Sequence, residues 1–274
     1  MDSDTVSVAV VQLTSTDDLA HNLAVSEALV REATARGATF IALPEMFAFL
    51  RREGQRFPHA QPVDGEIVGR VRSWARELAV RILAGSIAES VPGSERVHNT
   101  SVLIGPGGAI EAVYRKIHLF DIDLGATGGG TFTESKSIAP GDDVVVAETE
   151  IGGIGLSICY DLRFPELYRR LVRAGAEVLL APSAFTFPTG AAHWEVLCRA
   201  RATENQCYLV APDQTGTSPH GFADYGESLI VDPWGRVLAR ASEGEGVITA
   251  EIDRAYLARV RRELPCLAHV RLGV

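Results

Sequence analysis

Three places in the sequence put a reactive side chain at the end of an apolar run. In IALPE (41–45) the carboxylate of Glu45 follows a buried-looking stretch, and in VYRKIH (113–118) Lys116 follows another. In GLSICYD (155–161) the thiol of Cys159 leads from an apolar run towards RFPE at 163–166. Taken singly, each has an ordinary explanation. A buried cysteine packs as a small hydrophobe, Glu45 caps a helix over 46–50, and Lys116 is a surface charge. Taken together they make a nucleophilic hydrolase. A thiol is weakly ionised at neutral pH; a carboxylate beside it can take its proton, and a helix N-terminus stabilises the thiolate. After attack on an amide or nitrile carbon, the oxyanion needs fixed donors. The Lys116 ammonium and the backbone N–H of Tyr160 supply them, and losing one such donor costs about 10²–10³ in turnover.

For these groups to meet, the elements that carry them must bring their ends together. The run VSVAVVQL (6–13) reads as a buried strand, and 17–35 reads as a helix. Asp17 and Asp18 suit its positive end, while Leu19, Leu23, Val30 and Ala33 share one face. Gly37 stops it, and 39–43 is a short strand. The stretch 66–79 is again helical, with Ile67, Val71, Trp74 and Leu78 on one face, and 82–87 is a strand. Then the rhythm changes. Strands 100–104 and 109–114 flank GPGG, a hairpin signal, and the polar, glycine-rich 121–143 reads as a long surface loop. Strands at 153–159 and 178–180 enclose a helix around 164–174. A helix over 191–205 and a strand at 208–211 follow, then a second hairpin, 228–232 with 236–241 around PWG. Helices and strands alternate at both ends with hairpins between. That pattern fits a mixed sheet, or two sheets face to face with helices outside, in one domain over 1–274. Ligand sites in α/β sheets gather at strand ends.

Composition narrows the function classes. The 274 residues carry 26 basic and 35 acidic side chains, a formal charge of −9, which argues against nucleic acid and anionic membranes as partners. With 46% hydrophobic and 22% charged residues, the chain is an ordinary globular one rather than a disordered one. No apolar run approaches the ~20 residues that span a bilayer, and the acidic opening MDSD does not read as a signal peptide; a cytoplasmic setting is expected. Cys159, Cys198, Cys207 and Cys266 are scattered, and neither C-x-x-C nor H-E-x-x-H occurs, so neither a disulfide scaffold nor a metal site is expected. IGGIG at 151–155 does not satisfy G-x-G-x-x-G, and no P-loop occurs. Cys198, Cys207, Trp74, Trp194 and Trp234 read as packing residues.

The motifs resemble those of the nitrilase superfamily of carbon–nitrogen hydrolases. The family's Glu–Lys–Cys triad is matched by Glu45 in LPEMF, Lys116 in YRKIHLFD and Cys159 in ICYDLRFPEL. Family-like segments follow in order: DIDL (121–124), FTESKSIAPGD (132–142), GAEVLLAPSAF (175–185), HWEVLCRARATENQCY (193–208) and VDPWGRVLA (231–239). The resemblance covers nearly the whole chain. It implies an αββα four-layer sandwich that pairs into a homodimer or higher homo-oligomer, without cofactor or metal. Within the superfamily the motifs are most similar to the amidase branch of deaminated-glutathione and omega-amidases, which act on amides of 2-oxo acids or related small carboxylates. The resemblance also places Glu134 beside the triad, where it would position Lys116 or the attacking water; the alternative is a solvated loop charge. Two features depart from the pattern: the glycine-rich 125–130 and a C-terminal stretch, 264–274, without the family's basic, tyrosine-bearing tail.

Two further residues are candidates for substrate binding. Arg163, four residues after Cys159, suits a bidentate hold on a substrate carboxylate, or else an ion pair with Asp161 or Glu166. Thr186, just after PSAF, lines the pocket or merely finishes a strand. The reading is a thiol amidohydrolase acting on a small-molecule amide. Glu45 serves as general base and then as acid towards leaving ammonia, through an acyl-thioester on Cys159. Omega-amidase, carbamoyl-amine hydrolase and nitrilase chemistry all use the same triad, and a non-catalytic binding protein on the same scaffold is the competing class.

Overall fold

A computed structural model describes residues 5–52, 55–125, 130–219 and 221–272. Positions 126–129 of the glycine-rich stretch lie outside the described residues. Among the described residues there are two six-stranded sheets. The first joins β1 (Thr5–Gln12), β2 (Phe40–Ala42), β3 (Arg81–Ser90), β4 (Val97–Ile104), β5 (Ile110–Arg115) and β16 (Gly246–Asp253) in the order β16-β1-β2-β3-β4-β5. The second joins β8 (Val146–Thr149), β9 (Gly152–Leu156), β10 (Ala176–Leu180), β11 (Tyr208–Ala211), β14 (Leu229–Val231) and β15 (Val237–Arg240) in the order β15-β14-β11-β10-β9-β8. Two small hairpins, β6 (Asp121–Asp123) with β7 (Thr131–Thr133) and β12 (Thr215–Thr217) with β13 (Ala223–Tyr225), stand apart from both.

Side-chain alternation explains the layering. In β1, Val8 and Val10 face the second sheet in one apolar cluster. Ala9 and Val11 face the opposite way, into a cluster with Leu23, Val30 and Ala33 of α1 (Leu19–Ala35) and Val68, Val71 and Trp74 of α2 (Glu66–Leu78). A strand buried on both faces must be apolar throughout, which is why VSVAVVQL carries no helix-like or half-polar pattern. On the far side, α3 (Pro165–Arg173) and α4 (Phe187–Asn205) cover the second sheet with Leu167, Tyr168, Leu171, Trp194 and Cys198. The order helix, sheet, sheet, helix is the αββα sandwich.

Several local expectations are corrected. Asp18 caps α1, its side chain accepting from the His21 N–H at 3.0 Å, so the helix starts at Leu19. No helix follows Glu45; 45–48 is a turn in which Met46 has φ 52°, so Glu45 caps nothing. The presumed surface loop 121–143 contains β6, β7 and a 3-10 turn at Glu134–Lys136. Helix α4 begins at Phe187, a full turn before the expected 191. The antiparallel strand β16 and the following α5 (Arg254–Glu263), marked by no motif, bring the end of the chain back to β1.

Candidate active site

Glu45 stands three residues beyond β2, on a turn pressed against β3. A Cβ at position 85 would lie 1.9 Å from the Pro44 carbonyl oxygen, so only glycine lets the turn approach. The turn is pinned by two bonds: Met46 N–H donates to Ser86 Oγ at 2.9 Å, and Gln214 Nε2 donates to the Glu45 carbonyl at 2.8 Å. The carboxylate is 5% exposed. Its Oε1 accepts from Asn99 Nδ2 at 2.7 Å and from Lys116 Nζ at 3.0 Å.

Lys116 follows β5 directly and is 2% exposed. Its ammonium also lies 3.0 Å from Glu134 Oε2, and Glu134 is itself held by the Phe120 N–H at 2.6 Å. Burial works against the charge, but the Glu134 and Glu45 carboxylates outweigh it and hold the Lys116 ammonium well above its ordinary range. The solvated-loop alternative for Glu134 therefore does not describe its surroundings.

Cys159 opens a 3-10 turn, Cys159–Arg163, at the end of the second sheet, with φ 48°. A left-handed cysteine is strained by about 1–2 kcal/mol, and such strain gathers at functional sites. Asp161 holds the turn. Its buried carboxylate accepts from Ile158 N–H at 2.8 Å and Tyr114 Oη at 2.6 Å. It also accepts from His118 N–H at 3.1 Å and lies 2.7 Å from His118 Nδ1. One side chain thus ties the cysteine turn to the segment bearing Lys116. Burial and the Glu45 charge push the Cys159 thiol well up, against the opposing pull of Lys116 and the Ala184 N–H. In place of the stabilised thiolate expected from the sequence, the surroundings favour a thiol that gives up its proton only as it attacks.

These groups face one cavity of about 200 Å³, lined by Glu45, Lys116, Glu134, Cys159, Tyr160 and Thr186, with Phe49, Phe120, Phe132, Phe185 and Phe222 as apolar walls. The Tyr160 N–H has no protein acceptor among the described residues, as an oxyanion donor requires. Thr186 finishes no strand: it is the residue before α4, its hydroxyl 2.9 Å from that of Thr189. Arg163 is placed differently from either expectation. It does not line the cavity, and it makes no ion pair with Asp161 or Glu166 among the described residues. Its guanidinium runs behind the wall, 5.8 Å from the Tyr160 ring and 5.6 Å from Phe185, with Nη1 3.3 Å from His193 Nδ1.

Other lining and supporting residues are not marked by any of the sequence motifs. Asn99 carried a usable signal, a polar amide inside the apolar strand VHNTSVLI that must find a partner. Arg51 and Asp224 line the cavity without any motif to mark them. Among the described residues no group of three or more His, Cys, Asp or Glu side chains is arranged to hold a metal ion.

Comparison with known proteins bears on this geometry. The family model for carbon–nitrogen hydrolases matches residues 7–262. The chain belongs to the carbon–nitrogen hydrolase family. It is 44% identical to human deaminated glutathione amidase over 269 residues, 96% of this chain and 82% of that protein. It is 37% identical to mouse omega-amidase NIT2, over 97% of this chain and 95% of that one. Among solved structures the NitFhit protein of C. elegans superposes with a TM-score of 0.91 at 37% identity; the match covers 99% of this chain and 66% of that longer one. A member of the nitrilase superfamily by sequence and by fold, this carbon–nitrogen hydrolase is an amidase.

Proposed function

We propose that the amidase works through a thioester on Cys159, with Glu45, Lys116 and Glu134 as its partners. The observation that carries this reading is the Lys116 ammonium held between two carboxylates in the cavity that Cys159 also lines. As sulfur attacks the amide carbon, Glu45 takes its proton. The C=O electrons move to oxygen, which Lys116 and the Tyr160 N–H stabilise. The tetrahedral adduct collapses as Glu45 returns the proton to nitrogen; the C–N bond breaks, and ammonia or an amine departs. Water then attacks the thioester, Glu45 accepting its proton and passing it to the departing sulfur. Glu134 keeps Lys116 aimed and charged throughout.

The substrate we propose is the amide of a small carboxylate, of the deaminated-glutathione kind. Two things support it: the higher identity to the deaminated glutathione amidase, and Arg51 on the cavity wall, a cation suited to a carboxylate. Omega-amidase activity is the second reading, supported by the 37% identity to NIT2. Deaminated glutathione should be hydrolysed with the higher kcat/KM when assayed beside 2-oxoglutaramate. A preference for 2-oxoglutaramate of tenfold or more reverses the assignment.

Self-association is a further part of the proposal. Phe187 and Val196 on α4 and Trp234 on the neighbouring β14–β15 turn are exposed apolar side chains on the outside of the second sheet. Sedimentation should give a dimer or larger; a monomer at micromolar concentration contradicts it. The setting we propose is the cytoplasm, supported by four cysteines that are all free; among the described residues no helix is long and apolar enough to cross a membrane.

A further inference from the structure

Asn99, on β4, is bonded to both charged groups at the centre of the site. Its main-chain carbonyl accepts from the Lys116 N–H at 2.9 Å, one step beyond the Thr100–Arg115 pair of the β4–β5 ladder. Its side chain lines the cavity, and Nδ2 donates to Glu45 Oε1 at 2.7 Å. Glu45 stands 54 positions away in sequence, so no local turn imposes that contact. The residue is 1% exposed, and the other end of its amide, Oδ1, is buried without a partner. An amide buried with its acceptor unused costs the fold more than an apolar side chain of the same shape. The one bond this side chain makes is to Glu45, and it serves the site rather than the fold.

That bond makes the two oxygens of Glu45 unequal. Oε1 takes both donors, Asn99 Nδ2 and, at 3.0 Å, Lys116 Nζ. Oε2 accepts no hydrogen bond among the described residues. The last torsion of a glutamate is soft, so a carboxylate held by charge alone turns freely about it. Lys116 cannot stop that turning. Its ammonium acts as a point charge and is shared with Glu134. The planar amide of Asn99 is a directional donor, and a base that must collect a proton from sulfur and deliver it to nitrogen needs a fixed direction.

We propose that Asn99 is the positioning residue of the general base: together with Lys116 it reserves Oε1 of Glu45, so that Oε2 takes the thiol proton and returns it to the leaving nitrogen. The inference rests on the mechanism proposed above. In Asn99→Leu, kcat for deaminated glutathione should fall about 10–100-fold with KM within about threefold, a part of what general-base catalysis supplies. The melting temperature should stay at or above that of the wild type, because the unpaired Oδ1 is gone. A raised KM with kcat unchanged would make Asn99 a substrate contact and overturn the proposal, as would a lowered melting temperature with kcat unchanged. Asn99→Ala gives the same kinetic reading should leucine prevent folding.

The rate at which iodoacetamide alkylates Cys159, followed by peptide mass spectrometry, shows whether Asn99 acts through Glu45 without any amide being turned over. Asn99→Leu should slow labelling in the otherwise wild-type protein and cause no further slowing in Glu45→Gln, the non-additivity of two groups working as one. Equal slowing in both backgrounds overturns this inference alone. Labelling of Glu45→Gln as fast as the wild type would instead count against Glu45 as the base, and the role of Asn99 would fall with it.

Discussion

Cys159→Ala should abolish amide hydrolysis, lowering kcat by at least about 10⁴, and leave the fold intact. The size of the loss follows from the division of labour. The Lys116 ammonium and the Tyr160 N–H can only stabilise charge that a nucleophile has created, and without sulfur no covalent intermediate forms. The stability change should be small. The side chain is nearly buried but short, and alanine meets the same left-handed backbone demand at φ 48°. A melting temperature within about 2 °C of the wild type is expected. Steady-state kinetics with a thermal melt check both halves, and a variant retaining more than about 1% of wild-type turnover would show that another group attacks the amide.

The second large effect falls on stability and activity together. In Lys116→Met a side chain of similar length replaces an ammonium that is 2% exposed and 3.0 Å from oxygens of both Glu45 and Glu134. Two carboxylates are then left facing each other without a cation. Breaking a buried pair in this way costs about 3–5 kcal/mol, and losing an oxyanion donor costs about 10²–10³ in turnover. Urea unfolding at pH 7 should show the loss, and Glu134→Gln added to Lys116→Met should recover part of it by removing one of the two facing charges. A Lys116→Met protein as stable as the wild type at pH 7 would mean that the two carboxylates do not depend on this cation.

The framework of the site was legible because two of its three central groups, Glu45 and Cys159, follow strands buried on both faces, and such strands announce themselves as continuous runs such as IALPE and GLSICYD. What holds those groups in place was not. The four contacts of Asp161 join residues up to 47 positions apart, and Gln214 reaches the Glu45 carbonyl across 169. Spacing along a chain carries no trace of such pairings. Arg163 shows the same limit from the other side. Its position after Cys159 is fixed by sequence, but the direction of a long side chain is set by its neighbours, here the rings of Tyr160 and Phe185 that draw the guanidinium behind the cavity wall. Arg51 and Asp224 reach the cavity from an irregular segment and a small hairpin. Such segments have no periodicity to say which way they face. The 121–143 segment read as loop because its strands are only three residues long, below what alternation can reveal.

The proposed catalysis turns on a covalent bond between substrate and one sulfur. Acid quenching during turnover of deaminated glutathione, followed by peptide mass spectrometry, reads it directly. The peptide containing Cys159 should gain the mass of the acyl half without the leaving nitrogen, and peptides containing Cys198, Cys207 and Cys266 should be unchanged. Sustained hydrolysis with Cys159 unmodified, or with the acyl group on another residue, would contradict the mechanism.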